Sequence, residues 1–143
     1  MVVLWLELEV LYLEKESNMK KIISSKNAPE AIGPYSQAIL SNDTLYCSGQ
    51  IAINPETGDL VTDNILNETT QVMENIAAVL KAAKMNFSNI VKCSIFMKSM
   101  EDYEKINKVY SQYFDEKSPA REAVQVSCLP KNVSVEISVI AVH

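Results

Sequence analysis

Apolar and polar residues alternate with two different periods along this chain, and each change of period marks an element. Lys21 to Ser25 is a short β-branched run, and Ala28-Pro29 and Gly33-Pro34 punctuate the stretch after it as turn residues do. Residues 36–41 and 44–51 read as two strands joined by Ser41-Asn42-Asp43, and Asn54-Pro55-Glu56-Thr57-Gly58 reads as a turn. After Asp63 the period lengthens. Leu66, Val72, Met73, Ile76, Val79, Leu80 and Ala83 fall on one helical face, opposite Glu68, Glu74 and Lys81. Residues 90–98 return to period two, with Val91, Cys93, Ile95 and Met97 on one side. Ser99 is placed to cap a second helix, with Asp102 three residues later, and Tyr103, Ile106, Tyr110, Tyr113 and Phe114 form its apolar stripe. Two more strands, about 121–128 and 133–142, flank Leu129-Pro130-Lys131-Asn132.

The order is therefore β-β-β-α-β-α-β-β, an α+β arrangement in which two helices cover one face of a sheet. Strands 90–98 and 133–142 are semi-apolar on their outer side as well, so the other face also needs cover and an oligomer is expected. A chain of 143 residues suits one domain with one core. Residues 1–18 stand apart: they are apolar but interrupted by Glu7 and Glu9, too charged for a transmembrane helix, and without the basic start of a signal peptide. Met19-Lys20-Lys21 reads like a fresh amino terminus, so residues 1–18 are expected to be a leader or an extension outside the domain of residues 19–143. An added strand, from the alternation around Leu4, Leu6, Leu8 and Val10, is the competing reading.

Charge and composition remove several kinds of chemistry. The formal net charge is −5, of which Glu7, Glu9, Glu14 and Glu16 against Lys15 supply −3. A weakly acidic domain lacks the footprint for a phosphate backbone. The only histidine is His143, which excludes most metal sites and every histidine-based triad. Cys47, Cys93 and Cys128 form no CxxC pair and sit in apolar or β-branched runs, as reduced, buried thiols of a cytosolic protein do.

Chemistry must then run on carboxylates, arginine, hydroxyls and backbone groups. In the last strand Ser134, Glu136 and Ser138 face away from Val133, Val135, Ile137 and Val139, so Glu136 is an acid in an apolar setting. Arg121, at the start of the preceding strand, shares a face with Ala123, Gln125 and Ser127 and can grip a carboxylate with two hydrogen bonds. On residue types alone, Arg121 and Glu136 pairing with each other or with surface partners is the commoner explanation. Tyr35 reads as a ring packed over the sheet edge, and Ser48-Gly49-Gln50 as a turn or bulge whose amides a ligand can approach closely. Asn107, polar on the apolar side of the second helix, reads as a structural fastener or as a contact near a site.

Together these segments carry a resemblance. NAPEAIGPYSQAI, LYCSGQIAINPETGDL, VKCSIFMKSMEDYEKINKVY, PAREAVQV and CLPKNVSVEISVIAV resemble, in order from Met19 to the carboxyl end, the Rid (YjgF) family and its RidA subgroup. The resemblance implies a chorismate-mutase-like fold assembled as a homotrimer around a barrel, with clefts between neighbouring subunits. It implies a 2-iminobutanoate/2-iminopropanoate deaminase that hydrolyses 2-aminoacrylate-type enamines and imines to 2-oxo acids and ammonia without metal or cofactor. By position, Arg121 would bind the substrate carboxylate and Glu136 would position water and shuttle protons, both converging on one guest. Tyr35 would contact the substrate, Ser48 and Gly49 would line the pocket, and Asn107 would lie close to the cleft. Ala123 stands where many members carry cysteine, leaving a backbone carbonyl for the site and no thiol. Glu122 follows the arginine where a small or apolar residue is usual, and strand alternation should turn it away. Lys84 replaces the usual helix-ending glycine. A non-catalytic metabolite-binding protein of the same fold and an RNA-directed translation inhibitor or endoribonuclease are the rival readings.

Overall fold

The computed structural model describes residues 20–143; the reading of residues 1–18 as a leader lies outside them. Six strands form one mixed sheet: β1 (Lys21–Ile23), β2 (Ala38–Ser41), β3 (Thr44–Gln50), β4 (Ile90–Met97), β5 (Ala120–Gln125) and β6 (Val135–Val142). Their spatial order is β1-β2-β3-β6-β4-β5, antiparallel throughout except for the parallel β4–β5 pair. Helices α1 (Ile65–Ala82) and α2 (Tyr103–Tyr110) pack on one face. The expected order and the two-helix cover are both found.

Local chemistry explains the ends of these elements. Asn64 caps α1, its Oδ1 accepting the Asn67 N–H at 2.9 Å. Ser99 caps a short 3₁₀ turn, Met100–Asp102, that leads into α2. Helix α1 ends where Lys84 takes a φ of 58°, the left-handed conformation that glycine adopts at least cost.

Three details of the pattern differ from expectation. A bulge between Ile90 and Lys92 shifts the pairing of β4 with β6, so Ile90 takes the buried place and Val91 is 45% exposed. Glu68, placed by periodicity on the outer face of α1, is 1% exposed, whereas Leu66 is 38% exposed. The first turns of α1 overhang the start of β6, where the N–H groups of Ser134 and Val135 donate to Glu68 Oε1 at 2.5 and 3.3 Å. Unpaired strand-end donors thus draw an acid inward against its helical phase. Cys128 is exposed, not buried, because β5 stops at Gln125 and the chain leaves the sheet. Cys47 and Cys93 are buried as expected, and burial pushes the Cys47 thiol up to about 12 and raises that of Cys93.

The sheet face opposite the helices is uncovered among the described residues. It carries Ile22, Tyr46 and Val124, which are 65%, 51% and 42% exposed, together with half-buried Ile39, Phe96 and Ile140. Apolar patches of this kind, bordered by Lys92, Ser94 and Glu122, mark an interaction face.

Relieving the left-handed lysine is the simplest test of the backbone reading. Lys84→Gly is expected to stabilise the fold by about 1 kcal/mol, read by chemical denaturation; no gain would show that φ at this position is not strained.

Candidate active site

Strand β6 supplies the acid. Val135, Ile137 and Val139 are buried under the helices, so Glu136 between them is turned to the open face, where it pairs across the ladder with Phe96. Opposite it, β3 is irregular: its register with β6 slips between Cys47 and Gln50, which makes Ser48-Gly49 the expected bulge. Gly49 has a specific reason to be glycine. A Cβ there would overlap Glu136 Oε1 and lie 2.8 Å from its Cδ and 3.0 Å from its Cγ. The glycine is the space in which the carboxylate sits.

This carboxylate faces a cleft of about 400 Å³. Its walls include Tyr35, Ser48, Gly49, Ile51, Ile53 and Pro130. Most of these walls are fixed from behind. Ser48 donates its hydroxyl to the Ser36 carbonyl at 2.6 Å. Gln37, 6% exposed, ties down the loop before Tyr35: its Oε1 accepts from Ser25 N at 2.6 Å and its Nε2 donates to the carbonyls of Ser25, Ala28 and Pro29. Asn75, fully buried on α1, donates to the carbonyls of Ile51 and Ile53 at 3.1 and 3.0 Å. Tyr35 is 48% exposed, and its hydroxyl accepts the Ile32 N–H at 3.3 Å instead of standing in water alone. Within this apolar recess burial raises the Glu136 carboxyl above its ordinary 4.5, and no cation pairs with it among the described residues.

Arg121 lies elsewhere. It sits on the free edge strand β5, in register with Cys93, and so points to the helix face. Its Nη1 donates to Asn107 Oδ1 at 2.5 Å and its Nη2 to the Tyr103 hydroxyl at 3.0 Å. The guanidinium also stands 5.0 Å from the ring centre of Tyr110 and 5.8 Å from that of Tyr103. A second crevice opens here, lined by Asn107, Tyr110, Phe114, Pro119 and Arg121. Asn107 is thus a contact of the arginine and not merely a fastener. Tyr103 and Tyr110, read from periodicity as core, also touch this cation. Ala123 follows on the same face, half-buried and in register with Ile95. Glu122 is turned to the open face, as alternation requires, where it pairs with Lys92 and accepts from Ser94. Lys92 first, then Ser94, holds its carboxyl below the ordinary range, so it does not compete for Arg121.

Within one chain, then, the residues expected at the site fall into two groups. Tyr35, Ser48, Gly49 and Glu136 share one crevice; Arg121 and Asn107 share the other, on the opposite face. Pairing of Arg121 with Glu136 does not occur, and neither do the two converge on one guest within a chain. Among the described residues no group of three or more His, Cys, Asp or Glu is arranged for a metal ion, and no helix is long and apolar enough to cross a membrane.

Comparison with known proteins places this geometry. Residues 25–143 match the family model described as endoribonuclease L-PSP. The structure superimposes with a TM-score of 0.85 on a Rid family protein of Yersinia pestis, 51% identical, over 87% of this chain and all of that one (100%). The chain belongs to the Rid (YjgF) family. Among curated Rid relatives, a RutC family protein of Pyrococcus horikoshii is 49% identical over 86% of this chain and 98% of its own length. The 2-iminobutanoate/2-iminopropanoate deaminase of Bos taurus is 47% identical over 89% of this chain and 93% of its own. Its human counterpart of the same name is 42% identical over 89% and 93%. The fold expected of a Rid protein is therefore the fold found.

Two outcomes follow from the Glu136 recess. In Gly49→Ala the flexible carboxylate can swing aside, so the fold is expected to survive with a loss of at most about 1 kcal/mol. The displaced acid should titrate closer to 4.5, followed by carboxyl NMR; an unchanged titration would refute the steric reading. A carboxyl raised on folding contributes stability that is full below the unfolded value and is lost as pH rises through the folded one. Glu136→Gln should therefore raise Tm at neutral pH, with the gain vanishing below about pH 4.5. Melts across that range that show no such crossover would contradict the burial effect.

Proposed function

We propose that this Rid protein hydrolyses 2-imino acids and their enamine tautomers, 2-aminoacrylate among them, to 2-oxo acids and ammonia, at sites completed between copies of the chain. The observation that carries this reading is a pair of unneutralised opposite charges. Glu136 is desolvated and unpaired in a cleft sized for a small molecule, and Arg121 is held by neutral acceptors that leave its charge available. Four mammalian relatives bear the deaminase name, and the E. coli TdcF structure, 39% identical with a TM-score of 0.83, has bound serine, a small molecule with a carboxylate.

A guest bridging both groups takes Arg121 from one copy and Glu136 from the next. The uncovered apolar face gives such copies a reason to associate, and three of them closing around a barrel bury it on every copy. In the completed site the guanidinium grips the substrate carboxylate and fixes the imine carbon against Glu136. An enamine first takes a proton on its terminal carbon and becomes the iminium. Glu136, as carboxylate, removes a proton from water as the oxygen bonds to the iminium carbon, giving a carbinolamine. The same acid returns the proton to nitrogen, the C–N bond breaks with its electron pair leaving on ammonia, and the remaining hydroxyl loses its proton to give the 2-oxo acid. A raised carboxyl suits both steps, since its proton affinity lies closer to the working pH.

A coupled assay tests the reading. With a dehydratase supplying fresh enamine, the wild-type protein should hasten release of the 2-oxo acid and ammonia, and Arg121→Ala or Glu136→Gln should each lower kcat/KM by about 100-fold or more. Light scattering should return about three times the 16.0 kDa chain mass. Release no faster than in buffer would overturn the deaminase, and 2-oxo acid binding without turnover would point to a metabolite carrier.

A further inference from the structure

Arg121 is half-buried on the edge strand, and neither of the acceptors that hold it is an acid. Tyr103, Asn107 and Tyr110 recur at i, i+4 and i+7 on α2, so one helical stripe presents a hydroxyl, an amide oxygen and two ring faces to the guanidinium. Each of the two oxygens takes one hydrogen, from Nη1 and Nη2 respectively. A guanidinium has five N–H donors. Three remain: Nε–H and one on each terminal nitrogen, more than the two that a carboxylate grips. The rings add attraction without neutralising the charge. An aspartate or glutamate in the same place would hold the arginine more tightly and satisfy the cation that a substrate carboxylate has to find.

We propose that Tyr103 is a positioning residue for substrate binding: its hydroxyl, with Asn107, locks the Arg121 guanidinium in one orientation while leaving its charge and three donors for the substrate carboxylate. The role deepens the reading of Arg121 as the carboxylate anchor and rests on it. It concerns binding, not the proton transfers, which belong to Glu136. Tyr103 is half-buried, its ring packed against the core and its hydroxyl on Arg121, so removing its oxygen leaves the ring packing and the fold in place.

Calorimetric titration with 2-oxobutanoate, a monocarboxylate 2-oxo acid, measures the anchor without requiring turnover. Tyr103→Phe is expected to weaken binding roughly ten-fold, the low end of what one hydrogen bond to a charged group contributes. In the coupled assay KM should rise by a similar factor with kcat nearly kept, and Tm should not fall. In an Arg121→Lys background, where no planar fork remains to orient, the same substitution should add nothing. Unchanged binding in Tyr103→Phe, an equal loss in the lysine background, or a loss explained by a lower Tm would each overturn the proposal. So would the absence of any Arg121-dependent binding by the wild-type protein. Arg121-dependent binding that Tyr103→Phe weakens, in a protein that fails to hydrolyse imines, would sink the deaminase reading and leave this one standing.

Discussion

The pleat of the sheet keeps the two charges of this molecule apart, and most of its other features follow from that separation. Successive side chains on β4, β5 and β6 point to opposite faces. Cys93, Arg121 and Val139 stand in one register row, and Phe96 and Glu136 in another, an odd number of residues away along β4. Arg121 is thereby committed to the helix side and Glu136 to the open side. Strand β4 and three residues of register also lie between them, so neither satisfies the other's charge within a chain. Kept apart, each needs a different device to tolerate partial burial. Glu136 has the space left by Gly49 and a raised proton affinity; Arg121 has two tyrosine rings, a hydroxyl and an amide oxygen.

The scaffold around Glu136 is fixed by buried polar groups as well as by the apolar core. Gln37 staples the loop that carries Tyr35, Asn75 holds the segment of Ile51 and Ile53, and Glu68 binds the first N–H groups at the start of β6, two residues before Glu136. A satisfied buried side chain of this sort costs little and defines one geometry. The cleft is preformed on this account, so binding spends little on ordering its walls.

The sequence made the periodic part of this architecture legible, and the residues where it failed share a cause. Alternation along 133–142 correctly turned Glu136 away from the core, and along 121–125 correctly parted Arg121 from Glu122. Val91 was misplaced because a bulge breaks the period without leaving a glycine or proline to announce it. Glu68 was misplaced because its partners, the N–H groups of Ser134 and Val135, lie 66 and 67 residues away, and helical phase carries no information about them. The tyrosines of α2 read as core for a related reason: a ring on an apolar stripe looks the same whether its hydroxyl is idle or, as for Tyr103, holds an arginine 18 residues on. Asn107 did leave a signal, an amide on that stripe. Gly49 was visible as a glycine at a strand irregularity, but only the fold shows that a carboxylate fills the space. The residue types of the site were thus readable, and family resemblance supplied the idea that different copies contribute them.

That idea is tested most directly by mixing two inactive parents. Arg121→Ala and Glu136→Gln chains, co-expressed in equal amounts, form assemblies in which about a quarter of the interfaces join an intact Arg121 to an intact Glu136, if copies combine at random. Imine hydrolysis in the mixture should therefore return to roughly a quarter of the wild-type rate, while each parent alone stays inactive. A mixture as inactive as its parents would contradict a site shared between copies.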